Sequence, residues 1–143
     1  MIAAGVAFAV IALVLALVVA VGLEPGPDPG DVAVAYERAW DRLDFDALWA
    51  LSGIELRDGR SRSEFIADKR EAYAGQRALA GLANEVNLDE ILVGSELAAV
   101  RTRVLLRDGT AVRNQVQLAL REGTWKVIGY HLEPDAPAER RTG

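Results

Sequence analysis

The chain has 143 residues, no cysteine, and 16 basic against 21 acidic side chains, which give a net charge of −5. The lack of cysteine excludes disulfides, thiolate nucleophiles and zinc–thiolate sites, and the acidic balance without a Lys/Arg block argues against a nucleic-acid partner. Phosphate loops, H-E-x-x-H and G-x-S-x-G motifs are missing as well, so the sequence predicts no metal and no cofactor.

Residues 1–23 carry no charged side chain. A helix of this length spans the roughly 30 Å hydrocarbon core of a bilayer, which predicts a single-pass transmembrane anchor in the cell membrane. A cleaved signal peptide is the alternative, since residues 20–22 offer small side chains at the spacing of a cleavage site. The anchor is favoured because the apolar run is longer than the about 7–15 residues typical of a signal peptide and lacks a basic N-terminal region. With so short an N-terminal tail, we expect the folded domain to be extracytoplasmic.

Residues 24–30, EPGPDPG, form the predicted linker. Alternating prolines favour extended polyproline II geometry, so the seven residues make a spacer of roughly 20 Å that keeps the domain close to the bilayer. The domain is predicted to occupy residues 31–134, followed by a flexible polar tail over 135–143.

Three helices are predicted at the start of the domain. Asp31 is the predicted N-cap of the first helix. The second helix is predicted within residues 44–53, and the third within 61–75, where Ser61 and Glu64 form a capping box. The first helix has apolar residues at helical spacing, namely Val32, Tyr36, Ala39, Trp40 and Leu43.

After Gly81 the apolar period changes to two, which predicts three strands with turns at residues 94–95, 108–109 and 122–123. A three-residue loop ending at Gly109 places Val104 opposite Val112, and it also places the Arg103 side chain opposite Arg113.

The same register predicts a polar row on the face that the helices cover. Thr102 lies opposite Asn114, and a two-residue turn at 122–123 places Asn114 opposite His131. Glu90 joins this row if residues 94–96 form a three-residue loop.

Three N-terminal helices followed by a curled antiparallel sheet resemble the nuclear transport factor 2-like superfamily, an α+β cone. The stretches "YERAWDRLDFDALWALSG", "SEFIADKREAY" and "REGTWKVIGYHL" carry the resemblance, which extends over residues 31–134. It implies a pocket between the helices and the concave sheet face, with a small apolar ligand as its expected content. The candidate pocket residues are Tyr36, Trp40, Glu90, Thr102, Asn114 and His131.

The superfamily contains isomerases, hydrolases, dehydratases and cyclases beside many non-catalytic members. A histidine can act as acid or base near neutral pH, with an amide to orient it, so His131 and Asn114 are the candidates for chemistry. The competing interpretation is a polar row that only satisfies its own hydrogen bonds. The acid set of the isomerase members has no match, because Asp41, Asp44 and Asp46 are better explained as helix-end residues.

The opposite sheet face is predicted to be basic. It carries Arg101, Arg103, Arg113, Ile128 and Tyr130. Like charges facing each other across strands are unfavourable unless an acid such as Asp89 intervenes. This face is predicted either to be solvated or to bind a second copy or an envelope protein. We therefore expect a membrane-anchored, extracytoplasmic binding or protein-interaction module without catalysis, and a small-molecule isomerase, hydrolase or cyclase is the alternative.

Overall fold

The computed structural model describes residues 26–133, in which three α-helices pack on one four-stranded antiparallel sheet of order β1-β2-β3-β4. The predicted α+β class is confirmed, but the sheet has four strands rather than three, because three turns separate four strands. The helices are α1 (Pro29–Arg42), α2 (Phe45–Leu51) and α3 (Arg62–Ala72). The strands are β1 (Ala83–Val93), β2 (Leu97–Leu106), β3 (Ala111–Arg121) and β4 (Thr124–Leu132), and short 3-10 turns cover Ile54–Leu56 and Arg77–Leu79.

Helix α1 begins three residues earlier than predicted. Asp28, not Asp31, is the N-cap, and its Oδ1 accepts a hydrogen bond of 2.8 Å from the Asp31 amide. Pro29 suits the first helical position because its fixed φ is already helical and no amide hydrogen is needed there. Pro29 and Gly30 therefore belong to the helix, and the part of the linker before it shortens to residues 24–28.

The core lies between α1, α2 and one face of the sheet, called here the inner face. Val100, Val116 and Leu118 on this face are fully buried, as is Val127 of β4. Leu48 of α2 packs in the same cluster. Burial of these branched side chains is the main stabilising contribution to such a fold.

The register between β2 and β3 is as predicted. Val104 pairs with Val112, Thr102 with Asn114 and Arg103 with Arg113. Gly109 has a φ of 89°, the left-handed conformation on which the three-residue loop depends.

The register between β3 and β4 is as predicted only near the turn. Gln117 pairs with Gly129 and Leu118 with Val127, so Ile128 is an extra residue that forms a β-bulge. A one-residue insertion exchanges the two faces for everything beyond it. Tyr130 therefore lies on the inner face, and His131 lies on the opposite, outer face.

The register between β1 and β2 also differs from the prediction. Val93 pairs with Ala98 at the turn, which places Glu90 opposite Arg101 on the outer face. A bulge at Asp89 then restores Leu88 to the inner face, opposite Thr102.

Within residues 26–133 no helix has both the length and the apolar content that crossing a bilayer requires. The predicted anchor at 1–23 and the predicted tail at 135–143 lie outside the described residues.

Candidate functional site

A buried glutamate on α1 gathers the polar side chains of the inner face. Glu37 is only 5% exposed, and its Oε1 accepts hydrogen bonds from Thr102 Oγ1 at 2.7 Å and from Asn114 Nδ2 at 2.9 Å. Its Oε2 accepts a hydrogen bond of 2.7 Å from the Tyr130 hydroxyl. These four residues are called the Glu37 network below.

Three separate elements of the sheet supply the donors. The β2–β3 register places Thr102 beside Asn114, and both are buried. The bulge at Ile128 turns Tyr130 inward, where its hydroxyl also accepts a hydrogen bond of 2.8 Å from Asn114 Nδ2. A carboxylate can only accept, and each of its oxygens here faces at least one donor.

Aromatic rings cover one side of the network. The rings of Tyr36 and Tyr130 meet edge to face, with centroids 5.1 Å apart, and Tyr36 meets Trp40 in the same manner at 6.5 Å. Trp40 also contacts Tyr73 with centroids 5.7 Å apart. Two of the predicted pocket residues, Tyr36 and Trp40, therefore lie beside the network as packed side chains.

Burial raises the pKa of Tyr130, and the neighbouring Glu37 charge raises it further because it opposes a second negative charge. Burial also raises the pKa of Tyr36. Both phenols are therefore held neutral in the folded chain, and Tyr130 remains a hydrogen-bond donor to Glu37 well into alkaline solution.

These shifts predict a loss of stability at alkaline pH. The folded chain keeps the phenolic protons of Tyr36 and Tyr130 above the ordinary pKa of 10.0, where the unfolded chain releases them. The free energy of unfolding is therefore unaffected by these groups below that value and falls above it, by up to about 1.4 kcal/mol per pH unit for each tyrosine. Urea unfolding across this range should give a shallower decline for Tyr130→Phe than for the wild type, and parallel curves would contradict the buried placement.

Two predicted pocket residues do not reach the inner face. His131 pairs with Gln115 and is exposed on the outer face, so the predicted Asn114–His131 pair is wrong, and Asn114 pairs with Leu132 instead. Glu90 is exposed too, and its Oε2 binds Arg101 Nη1 at 2.9 Å. The structure therefore separates His131 and Glu90 from Thr102 and Asn114.

The inner face is closely packed around the Glu37 network, where Glu37, Thr102 and Asn114 are at most 5% exposed. Five clefts of ≈ 150 to ≈ 620 Å³ open on residues 26–133, and none of these five is lined by a member of the network. One cleft of ≈ 620 Å³ lies between α1 and α3 beside Arg42 and Tyr73. A groove of ≈ 560 Å³ crosses the outer face near the β1–β2 turn, beside Leu92 and Ile128.

The outer face carries most of the predicted interface residues. Arg101, Arg103 and Arg113 are on it, and Ile128 lines its groove, whereas the prediction for Tyr130 is wrong because of the bulge. Arg101 is paired with Glu90 and with Glu133, each at 2.9 Å. In the described residues neither Arg103 nor Arg113 has an ion pair, and Asp89 does not provide one.

The helix-end interpretation of the acidic residues near α2 is confirmed. Asp44 caps α2 by accepting from the Ala47 amide at 3.1 Å, and Asp46 pairs with Arg62 at 2.9 Å. Over residues 26–133 no three His, Asp or Glu side chains come together as a group that could hold a metal ion.

Glu37 is a member of the network that the sequence pattern does not predict. An acidic residue next to an apolar stripe is ordinarily solvent-exposed, and the pattern of α1 therefore predicts an outward position for it. A usable signal was present, because Ala33, Glu37 and Trp40 have the spacing of one helix face and the buried Thr102–Asn114 pair needs an acceptor.

No protein-family model matches the chain, and no curated protein matches it. Solved structures do resemble it. A protein from Campylobacter jejuni, provisionally named an NTF2-like transpeptidase, aligns with a TM-score of 0.55 and 18% identity over 71% of this chain and 97% of its own. A SEC-C motif containing protein from Rhodopseudomonas palustris aligns with a TM-score of 0.52 and 14% identity over 74% and 79%. An NTF2-like protein of unknown function from Silicibacter pomeroyi shares 19% identity over 71% and 90%, with a TM-score of 0.47.

Proposed function

We propose that the chain is a membrane-anchored, non-catalytic binding module whose domain lies outside the cytoplasm and has the NTF2-like fold that it shares with the Campylobacter protein. The fold alone is compatible with a binding module or with an enzyme. At 18% identity, the transpeptidase name of the Campylobacter protein is not carried over to this chain.

The closed Glu37 network carries the proposal. A small-molecule enzyme needs a cavity in which the substrate meets convergent polar groups. Here Glu37 binds Thr102, Asn114 and Tyr130, while aromatic rings pack alongside. The network therefore stabilises the contact between α1 and the sheet, since fully satisfied buried polar groups hold elements in one arrangement.

The geometry does not favour the alternative of an isomerase, hydrolase or cyclase. It depended on His131 acting with Asn114, and these side chains lie on opposite faces of β3 and β4. An exposed histidine on a strand has no enclosed volume around it in which a substrate could be separated from water.

The chain before Gly26 supports the anchor. Residues 1–23 are uncharged, and because α1 starts at Pro29 the spacer over 24–28 reaches only roughly 15 Å. Residues 24–37 contain no Lys or Arg. Cytoplasmic flanks of membrane spans are enriched in basic residues, so this flank favours the outer side of the membrane.

The lack of cysteine makes a direct test possible, because one introduced thiol is the only reactive one in the chain. Ala67 is exposed on α3, and we expect an Ala67→Cys variant to sediment with membranes, to resist carbonate extraction and to react with an impermeant maleimide on intact cells. A matched variant that lacks residues 1–23 should be soluble. Recovery of the full chain in the soluble fraction would contradict the anchor, and labelling only after lysis would contradict the outside location.

A further inference from the structure

Two turns and the start of α1 meet at one end of the sheet. The Leu120 amide donates to the Glu96 carbonyl at 2.8 Å, which ties the β1–β2 turn to the end of β3. A Cβ placed on Gly26 would lie 3.5 Å from the carbonyl oxygen of Gly123 in the β3–β4 turn. This end is called the turn end below, and the chain enters the domain there.

The turn end also exposes apolar side chains. Residues 26–133 contain ten exposed large apolar residues, and half of them are at this end: Ile54, Leu92, Val93, Leu97 and Leu120. Ile54 lines one cleft together with Glu122 of the β3–β4 turn. Leu92, Val93 and Leu97 are adjacent across the β1–β2 turn and are 61%, 57% and 62% exposed. Grouped exposed apolar side chains mark a contact surface, whereas single ones do not.

We propose that the turn end rests on the lipid bilayer, with Leu92, Val93 and Leu97 inserted at the level of the headgroups. This inference depends on the membrane anchor of the proposed function and specifies how the domain is oriented on it. The groove beside Leu92 would then face lipid, whereas the arginine-bearing part of the outer face and the cleft between α1 and α3 would remain available to partners in the aqueous phase.

The short chain between the uncharged segment and the domain favours lipid, rather than a protein, as the partner of the turn end. Only three peptide steps separate residue 23, where the uncharged segment ends, from Gly26. Three residues extend at most roughly 10 Å, so Gly26, which lies beside Gly123 of the β3–β4 turn, is within that distance of the end of the anchor. A protein partner would have to enter this narrow space between the domain and the bilayer.

The charges at the turn end limit how deeply it inserts. Glu96 and Glu122 are exposed in the two turns, and Arg121 forms an ion pair with Glu55. Acidic side chains are not buried in hydrocarbon without a large cost, so these two remain among the headgroups while the apolar side chains reach past them. Arg57, Arg121 and Lys126 line the cleft beside Ile54, but Arg121 is paired with Glu55 and Lys126 donates to the Ala50 carbonyl. The contact therefore depends on the apolar side chains and should weaken little as ionic strength rises.

A fluorophore on a single introduced thiol tests the orientation in the full chain. Ser95 lies in the β1–β2 turn, and exposed Ala111 lies at the opposite end of the sheet, roughly 25 Å away along β2. In nanodiscs of zwitterionic phospholipid, nitroxide on the upper acyl chain should quench an NBD label on Ser95→Cys several-fold more than one on Ala111→Cys. High salt should not change the difference, and adding Leu92→Asp and Leu97→Asp should remove it.

The other outcomes are distinguishable. Equal, weak quenching at both positions in a chain that remains in the disc would overturn the orientation and leave the anchor standing. A chain that does not enter the disc would overturn both. Disulfide crosslinking between Ser95→Cys chains without lipid quenching would show that a second copy covers the turn end, which also contradicts the proposal.

Discussion

Glu37→Leu is expected to lower the free energy of unfolding by about 3 kcal/mol, because it removes the shared acceptor of a buried network. In this variant the Tyr130 hydroxyl loses Glu37, the acceptor to which it donates its hydrogen bond. The Thr102 hydroxyl keeps only the Asn114 carbonyl at 3.5 Å. Leucine is close to glutamate in size, so most of the loss comes from unpaired donors rather than from a cavity.

Urea unfolding followed by tryptophan fluorescence measures this effect. Glu37→Gln should lower the free energy of unfolding by less, since its amide retains one acceptor oxygen for Thr102 and Asn114. Thr102→Val should lower it by less in the Glu37→Leu background than in the wild type, because the hydroxyl that it removes has already lost its carboxylate acceptor there. Glu71→Ala, at an exposed position of α3, is the control. Equal midpoints for Glu37→Leu and Glu71→Ala would contradict the network's role.

Tyr130→Ala is expected to cost about 3 kcal/mol, because the ring packs edge to face on Tyr36 and its hydroxyl binds Glu37. The prediction tests the bulge at Ile128 directly. In an unbulged strand Tyr130 would lie on the outer face, and its replacement would change stability by less than about 0.5 kcal/mol.

His131→Ala is the matched control, because His131 follows Tyr130 in β4 and is exposed on the other face. It should leave the urea midpoint nearly unchanged. A large decrease in the free energy of unfolding for His131→Ala, together with a small one for Tyr130→Ala, would show that His131 lies on the inner face and would refute the bulge.

Local chemistry made most of the fold predictable. The capping box at Ser61 and Glu64 marks the start of α3, as predicted. The Asp108-Gly109 turn defines the β2–β3 register, because a glycine with positive φ closes the loop and one register alone buries the valines. In both cases residues close in the sequence determine the structure.

The parts that were predicted wrongly depend on contacts between distant residues. A bulge leaves little trace in the sequence, and here the pairing of Gly129 with Gln117 becomes evident only when both strands are present. A Cβ on Gly129 would lie 2.5 Å from Gln117 Oε1, so the glycine makes room for that side chain. The bulge allows the Tyr130 hydroxyl to donate a hydrogen bond to Glu37, and these two residues are 93 positions apart in the sequence.

The site was therefore only half predictable. Thr102 and Asn114 followed from the turn, but the choice between Tyr130 and His131 depended on a single inserted residue. Glu37 could be assigned only by asking what satisfies two polar side chains buried beneath a helix.

Native mass spectrometry of the full chain, extracted from its membrane without denaturation, shows whether the inner face holds a small molecule. If the inner face is closed by the Glu37 network, the chain will carry lipid at most and no other small molecule. A bound compound of one defined mass, present on the wild type and absent from Asn114→Ala, would show an occupied pocket on the inner face and would contradict a non-catalytic module with a filled interior.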